Sequence, residues 1–334
     1  MVAVEMASAT AGSSFERVAA LGFSQVILRV GSEDPVPRLE AAQQAGLSTL
    51  VRLGSIDAFI AGDHTKEEAP TPENGEFNMP TAVIRHPAFR AILAPAGSDA
   101  KSRVRSARVC AAARSAKIRC LRIEERVSDA GGLPAADGPA PMHGDALRPA
   151  IVEVLPGDFE IVPLWQSILG QYHRSLLDGQ TDGLVVRGAD AYFGGEAQAA
   201  PSQAPAVRAA LAEACTRVNR WGALLSSSRL ISTRPVDAEG DVRSAVFETS
   251  SRANFARPGD EPTRAARFVL IANLSDGFIR HEEVQVESDG IFERAVEVPS
   301  SIERPPGRII PAHGVRFTVP IELRAGDALL FELF

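Results

Sequence analysis

The chain has no run approaching the ~20 apolar residues that a membrane-crossing helix needs. Its first residues, MVAVEMASATAG, have no basic n-region and no long apolar h-region, so no secretory signal is visible. A cytoplasmic location is the expectation, or an extracytoplasmic one if the sequence begins inside a longer protein. Cysteine is scarce. Cys110, Cys120 and Cys215 are the only three, and they form neither a metal-ligand spacing nor an even disulfide framework. Cys110 and Cys120 come close if one lies on a helix and the other on the next strand, but all three read as small buried apolar residues. Positive charge is not in excess either: 35 Lys+Arg stand against 42 Asp+Glu, a net charge of −7. That argues against nucleic acid and anionic membranes as partners. The six histidines form no HxH or HExxH, and the serines have no GxSxG setting. No GxGxxG or GxxxxGK(S/T) follows an apolar run. A metal centre, an α/β-hydrolase triad and a nucleotide cofactor therefore lack motif support, and no cofactor is expected.

What is present is a rhythm that changes once. With 334 residues, 45% hydrophobic and 23% charged, the chain reads as globular with two domains. Val2–Glu5 is a short apolar run. FERVAALGF and VPRLEAAQQAG have helical spacing and stop at Gly22 and Gly46, and β-branched runs follow in SQVILRVG and LSTLVRLG. Residues 55–85 break this with a long acidic, Pro- and Gly-rich loop. Then come a strand at Ala91–Ala94, the helix KSRVRSARVCAAARSA, the strand KIRCLRIEERV and a second Gly/Pro/Ala loop. Asp145–Pro149 reads as a short helix. The runs Ala150–Leu155 and Glu160–Leu164 are separated only by Pro156, Gly157, Asp158 and Phe159, too few residues for a parallel crossover. Of the two, Glu160–Leu164 is taken as the strand because the helix WQSILGQYHRSLLDG follows it. TDGLVVRGAD is the last strand and VRAALAEACTRVNRWGALL the last long helix.

Seven or eight strands alternating with helices imply a mainly parallel sheet with helices outside it. The expected fold is a (β/α)8 TIM-like barrel over residues 1–231, with an open doubly wound sheet as runner-up. From Ser232 the pattern becomes short β runs between turns. Val315, Phe317, Val319 and Ile321 alternate with Arg316, Thr318, Pro320 and Glu322. This reads as an all-β antiparallel sandwich over 232–334.

LLDGQTDGLVVRG, LAEACTRVNRWGALL, VLIANLS and LRAGDALLFEL, in that order, resemble the closing segments of glycoside hydrolases built as a barrel followed by a β-sandwich. The resemblance covers Leu176 to the end best and implies a carbohydrate-active protein. It also implies a Glu after the fourth strand and another after the seventh. This chain has Asp99 near the first of these positions and Gln166 at the second, and Gln can act neither as acid nor as nucleophile.

Working residues of such barrels lie at strand C-termini and in the loops beyond. The candidate catalytic carboxylates there are Glu124, Glu125 and Asp190. Arg29, Arg52, Arg122 and Arg187 stand at or near four strand ends and together would make an anion-binding mouth. Tyr192, Trp165 and Gln166 complete the candidate ligand contacts. Three functions follow: a glycan-acting hydrolase, a non-catalytic glycan-binding or structural module, or a barrel enzyme for an anionic small molecule.

Overall fold

The computed structural model describes residues 1–6, 13–30, 34–53, 60–61, 76–77, 79–94, 100–123, 146–154, 161–193, 204–226, 228–249, 266–300 and 307–334. The chain forms two compact units, one of residues 1–149, 153–156 and 185–201, the other of residues 150–152, 157–184 and 202–334.

Strands and helices alternate at first: β1 (Val2–Met6), α1 (Ser13–Ala20), β2 (Gln25–Val30), α2 (Val36–Gln44) and β3 (Ser48–Leu53). A two-residue pair follows, β4 (Ile60–Ala61) with β5 (Glu76–Phe77), and then α3 (Thr81–Ile84), β6 (Phe89–Ala94), α4 (Ala100–Ser115) and β7 (Cys120–Ile123). Next come β8 (Ala146–Leu147), β9 (Ala150–Glu153), α5 (Ile161–Leu177), β10 (Leu184–Arg187), α6 (Asp190–Phe193) and α7 (Ala204–Leu225). Helix α2 ends as expected at Gly46, whose φ of 75° lets the Leu47 N–H return to the Ala42 carbonyl at 2.8 Å.

Apart from the β4–β5 pair, these strands form one sheet in the order β8-β7-β6-β3-β2-β1-β10-β9. The pairs from β1 to β8 are parallel. So is β9 with β10, where the Ala150 N–H meets the Gly183 carbonyl at 2.8 Å and the Val154 N–H meets the Arg187 carbonyl at 2.9 Å. The two ends of the sheet, β8 and β9, are separated in sequence by Arg148 and Pro149 alone. Three virtual bonds reach at most ~11 Å, whereas eight strands laid flat span ~34 Å. The sheet is therefore curled until one continuous stretch, 146–153, serves both edges. Its first half pairs with β7 and its second with β10. Pro149, which has no N–H to donate, sits where the partner changes.

Two expectations are corrected here. The helix expected over Asp145–Pro149 is not found in its described part, residues 146–149, where Ala146–Leu147 is strand. The strand expected over Glu160–Leu164 is helix in its described part, since Ile161–Leu177 is α5, and the neighbouring run supplies the strand instead, as β9. Pro163 lies in the first turn of α5, where its missing N–H breaks no helical bond.

Cys110 and Cys120 are bonded to each other, with Cα atoms 5.2 Å apart, which corrects the reading of both as isolated apolar residues. Lys117, at φ 59°, ends α4 with an Ile118 N–H to Ala113 carbonyl bond of 2.8 Å and turns the chain back onto its own helix. Cys120 then returns beside Cys110. Closing a loop of this length contributes ~2–3 kcal/mol. Replacing both residues, Cys110→Ser with Cys120→Ser, is expected to lower urea stability by that amount. An unchanged midpoint would show that the bond is not formed.

The second unit holds β11 (Ser228–Pro235), β12 (Val242–Thr249), β13 (Arg267–Asn273), β14 (Ile279–Val298), β15 (Ile309–Leu323) and β16 (Ala328–Leu333). They form an antiparallel sheet, β11-β12-β13-β16-β14-β15. Residues from β12 to β16 close on one core that includes Val246, Ile271, Val286, Phe317 and Phe331. Strand β13 is buried nearly throughout because α5 lies against it, so it reads as an unbroken apolar run. Asn273 ends β13 and is fully buried; its amide donates to the carbonyls of Gly277, Leu323 and Arg324, which pins the turn after VLIAN.

Strand β15 alternates, but not in one phase. Ile310 and Ala312 face inward, then Phe317, Val319 and Ile321, while Val315 is 49% exposed. The ladder with β14 slips around Phe292 and Gly314, whose φ is 72°. This irregularity moves the alternation by one residue, so Val315 is not part of the inward set that the sequence pattern suggested.

Helices α5 and α7 bring a buried polar network to the second unit. Arg217, 1% exposed, pairs with Asp327 at 2.6 Å and Glu213 at 2.7 Å. Its other contacts are His173 Nε2 at 3.4 Å and the face of Trp221, 5.5 Å from the ring centre. Trp221 is buried, and its Nε1 donates to the Val298 carbonyl at 3.3 Å.

Candidate functional site

Every residue of β1 is buried, yet the strand reads VAVEM. A lone carboxylate in such a strand needs partners. Glu5, with 7% of its side chain exposed, has three. Arg29 Nε lies 2.7 Å from its Oε1, Arg52 Nη1 lies 2.8 Å from Oε2, and Arg187 Nε lies 3.3 Å from Oε2. Burial alone would push this carboxyl up. Arg52, Arg29 and Arg187 together outweigh that and hold Glu5 below the usual carboxylate range.

Parallel register explains the convergence. Glu5 pairs with Ile27, and Arg29 pairs with Arg52. Residues two apart on a strand share a face, so Glu5, Arg29 and Arg52 lie on one face near the C-terminal ends of β1, β2 and β3. Arg187 closes β10, the next strand on the other side of β1. Register also separates the fourth arginine. Arg52 pairs with Leu93 while Arg122 pairs with Ala94, one residue on, so Arg122 is on the opposite face. That is the face of Cys120, whose sulfur is bonded to Cys110 of α4. The four-arginine mouth is thus a three-arginine cluster, because an odd offset along the ladder turns the fourth side chain away.

A second carboxylate joins this face. The Val154 N–H to Arg187 carbonyl bond places Glu153 beside Arg187 in the ladder. Glu153 is exposed and ends β9. Sequence reasoning missed both carboxylates. Glu5 was legible as the one charge in an apolar run; Glu153 was hidden because its run was not taken as the strand.

The remaining candidates are placed as follows. Glu124 and Glu125 come directly after β7 and lie outside the described residues. Trp165 and Gln166 are within α5 rather than at a strand end, because the strand expected there is helix. Asp190 begins α6, directly beyond β10, and is half-buried. The chain reaches α6 through Gly188, at φ 73°, where a Cβ would come within 2.4 Å of the Val154 carbonyl. Tyr192 is 1% exposed and Phe193 fully buried, so these rings fill core instead of presenting a stacking face. Phe193 meets Phe23 edge-on at 6.5 Å, and its carbonyl accepts from Ser14 Oγ at 3.0 Å. Asp34 accepts from the Val36 N–H at 3.0 Å, at the start of α2. Among the described residues no three His, Cys, Asp or Glu side chains cluster to hold a metal ion, and no helix is long and apolar enough to cross a membrane.

No family model and no curated protein matches the chain. Solved structures do. The chain is similar to a glycoside hydrolase family 30 endoxylanase from Clostridium papyrosolvens, at 10% identity over 99% of this chain and 95% of that one, with a TM-score of 0.44. It is similar to a family 30 subfamily 8 xylanase from Clostridium acetobutylicum, at 10% identity over the same 99% and 95%, with a TM-score of 0.46. It is also similar to a Thermotoga maritima alpha-fucosidase in complex with fucose, at 10% identity over 97% of this chain and 78% of that one, with a TM-score of 0.43.

Proposed function

We propose that this chain is a carbohydrate-active protein that takes a glycan at the C-terminal ends of β9, β10, β1, β2 and β3. The observation that carries this reading is the pair Glu5 and Glu153, two carboxylates on one sheet face with a single strand between them. Strands two apart are separated by ~10 Å, and two glutamate side chains have the reach to span that gap to the ~5–9.5 Å that glycoside hydrolysis uses. Glu5, held ionised, suits the charged member of such a pair. Glu153, open to solvent, is the other. Glu124, Glu125 and Asp190 are further carboxylates at or just beyond strand ends. The Cys110–Cys120 bond favours an oxidising compartment over the cytoplasm.

The alternative is a module that binds a glycan without cleaving it. Its support is the same Glu5: a carboxylate engaged by three guanidinium groups is a poor nucleophile and cannot act as an acid. A panel of aryl glycosides and a glycan-binding screen separate the two. Hydrolysis that falls ~10²-fold or more in Glu153→Gln identifies an enzyme using that carboxylate. Equal hydrolysis in Glu153→Gln, with a loss in Glu124→Gln or Asp190→Asn, moves the acid–base role to those residues. Binding without turnover identifies the module. Neither binding nor turnover on any glycan would sink the reading.

A further inference from the structure

We infer that the ligand accepted at this site carries an anionic group, a carboxylate or phosphate, which docks on Arg29 and Arg52. This rests on the glycan reading for the rest of the ligand but not for the anion itself. The guanidinium groups of Arg29 and Arg52 carry about ten N–H donors, while a carboxylate accepts about four hydrogen bonds. Glu5 orients these groups and Arg187 beside them, yet it cannot absorb the donor capacity of Arg29 and Arg52. Arg29 and Arg52 are direct neighbours in the ladder, ~4.8 Å apart along the hydrogen-bonding direction. A planar oxyanion can take a pair of N–H donors from one or both of them. Part of the cluster faces outward, since the Arg29 side chain is 63% exposed, and those of Arg52 and Arg187 about a fifth exposed. Glu5 thus acts as a positioning residue. It holds the guanidinium planes in place before the ligand arrives, so less side-chain freedom is lost on binding.

The test is calorimetric titration of the full chain with galacturonate, galactose and inorganic phosphate at low and high salt. Galacturonate is expected to bind at least about tenfold more tightly than galactose, in line with a charge-assisted contact. That advantage should shrink with added salt and fall about tenfold in Arg29→Gln, a substitution at an exposed side chain. Inorganic phosphate should compete. Galactose and galacturonate binding equally, untouched by Arg29→Gln, would overturn the inference and leave the glycan reading standing. Phosphate binding lost in Arg29→Gln, with no sugar bound, would keep the anion site and overturn the glycan reading. Failure of both anions to bind at millimolar concentration overturns the inference.

Discussion

Arg217→Met is expected to destabilise the second unit by about 3–5 kcal/mol. The guanidinium is 1% exposed and lies between Asp327 and Glu213, at 2.6 and 2.7 Å. Methionine fills much of the same volume but removes the charge. Asp327, mostly buried, is then left ionised without its partner. Burial would push this carboxyl up, and Arg217 is what holds it below its ordinary range. The loss comes mainly from that stranded charge and less from the ion pair's own attraction. Arg217→Met combined with Asp327→Leu should therefore cost less than Arg217→Met alone. Both tryptophans, Trp165 and Trp221, belong to the second unit, so urea denaturation followed by tryptophan fluorescence reports on it. A single-variant loss under ~1 kcal/mol, the size expected of an exposed pair, would mean that water reaches the network.

The second large effect is on pH. His173 is fully buried; its Nδ1 lies 2.7 Å from the Gly326 carbonyl and its Nε2 3.4 Å from Arg217. Burial first, and the adjacent Arg217 second, push its pKa down to about 3, against the opposing influence of Asp327 and the Gly326 carbonyl. The neutral ring donates from Nδ1 and accepts at Nε2. An unfolded-state histidine titrates near 6.5. Between about 6.5 and about 3 the unfolded chain therefore binds a proton that the folded chain does not. Stability is unaffected by this group at pH 7.5 and falls steadily as the pH drops through that window. The loss is ~3 kcal/mol at pH 4. His173→Gln keeps a donor and an acceptor but has no proton to gain. Urea midpoints at pH 7.5 and pH 4 should show a smaller acid loss in His173→Gln than in the parent, the difference approaching that ~3 kcal/mol. Identical pH slopes would show that His173 is protonated in the folded chain.

The candidate site was legible only in pieces. Arg29, Arg52 and Arg187 could be marked from sequence because each stands at the end of a β-branched run. Their common target could not, because Glu5 sits 24, 47 and 182 positions away and only the β1–β2–β3 register and the placement of β10 bring it to them. Arg122 looked equivalent to the other three. It differs by one residue of phase in the ladder, and local sequence carries no record of that phase. Tyr192 looked like a ligand contact because AYFGG is aromatic beside glycines. Whether such a ring faces a ligand or the core depends on what covers it, and α6 turns it inward.

The alternation of apolar runs, helical spacing and glycine stops was enough to specify a parallel α/β unit followed by an antiparallel β unit. Those signals are local: period-two or unbroken apolar stretches, 3.6-residue periodicity, and Gly46 at a left-handed turn. The same local signals failed where two neighbouring runs competed, since a short apolar stretch with a proline near its start fits a strand or the first turn of a helix equally well. Tertiary structure decided in favour of β9, through hydrogen bonds to β10. It also decided that residues 146–153 join both edges of the sheet, that Cys110 meets Cys120 across a tight turn at Lys117, and that three arginines share one buried carboxylate. Each depends on long-range register or on chain reversal, where a shift of one residue changes which side chains meet.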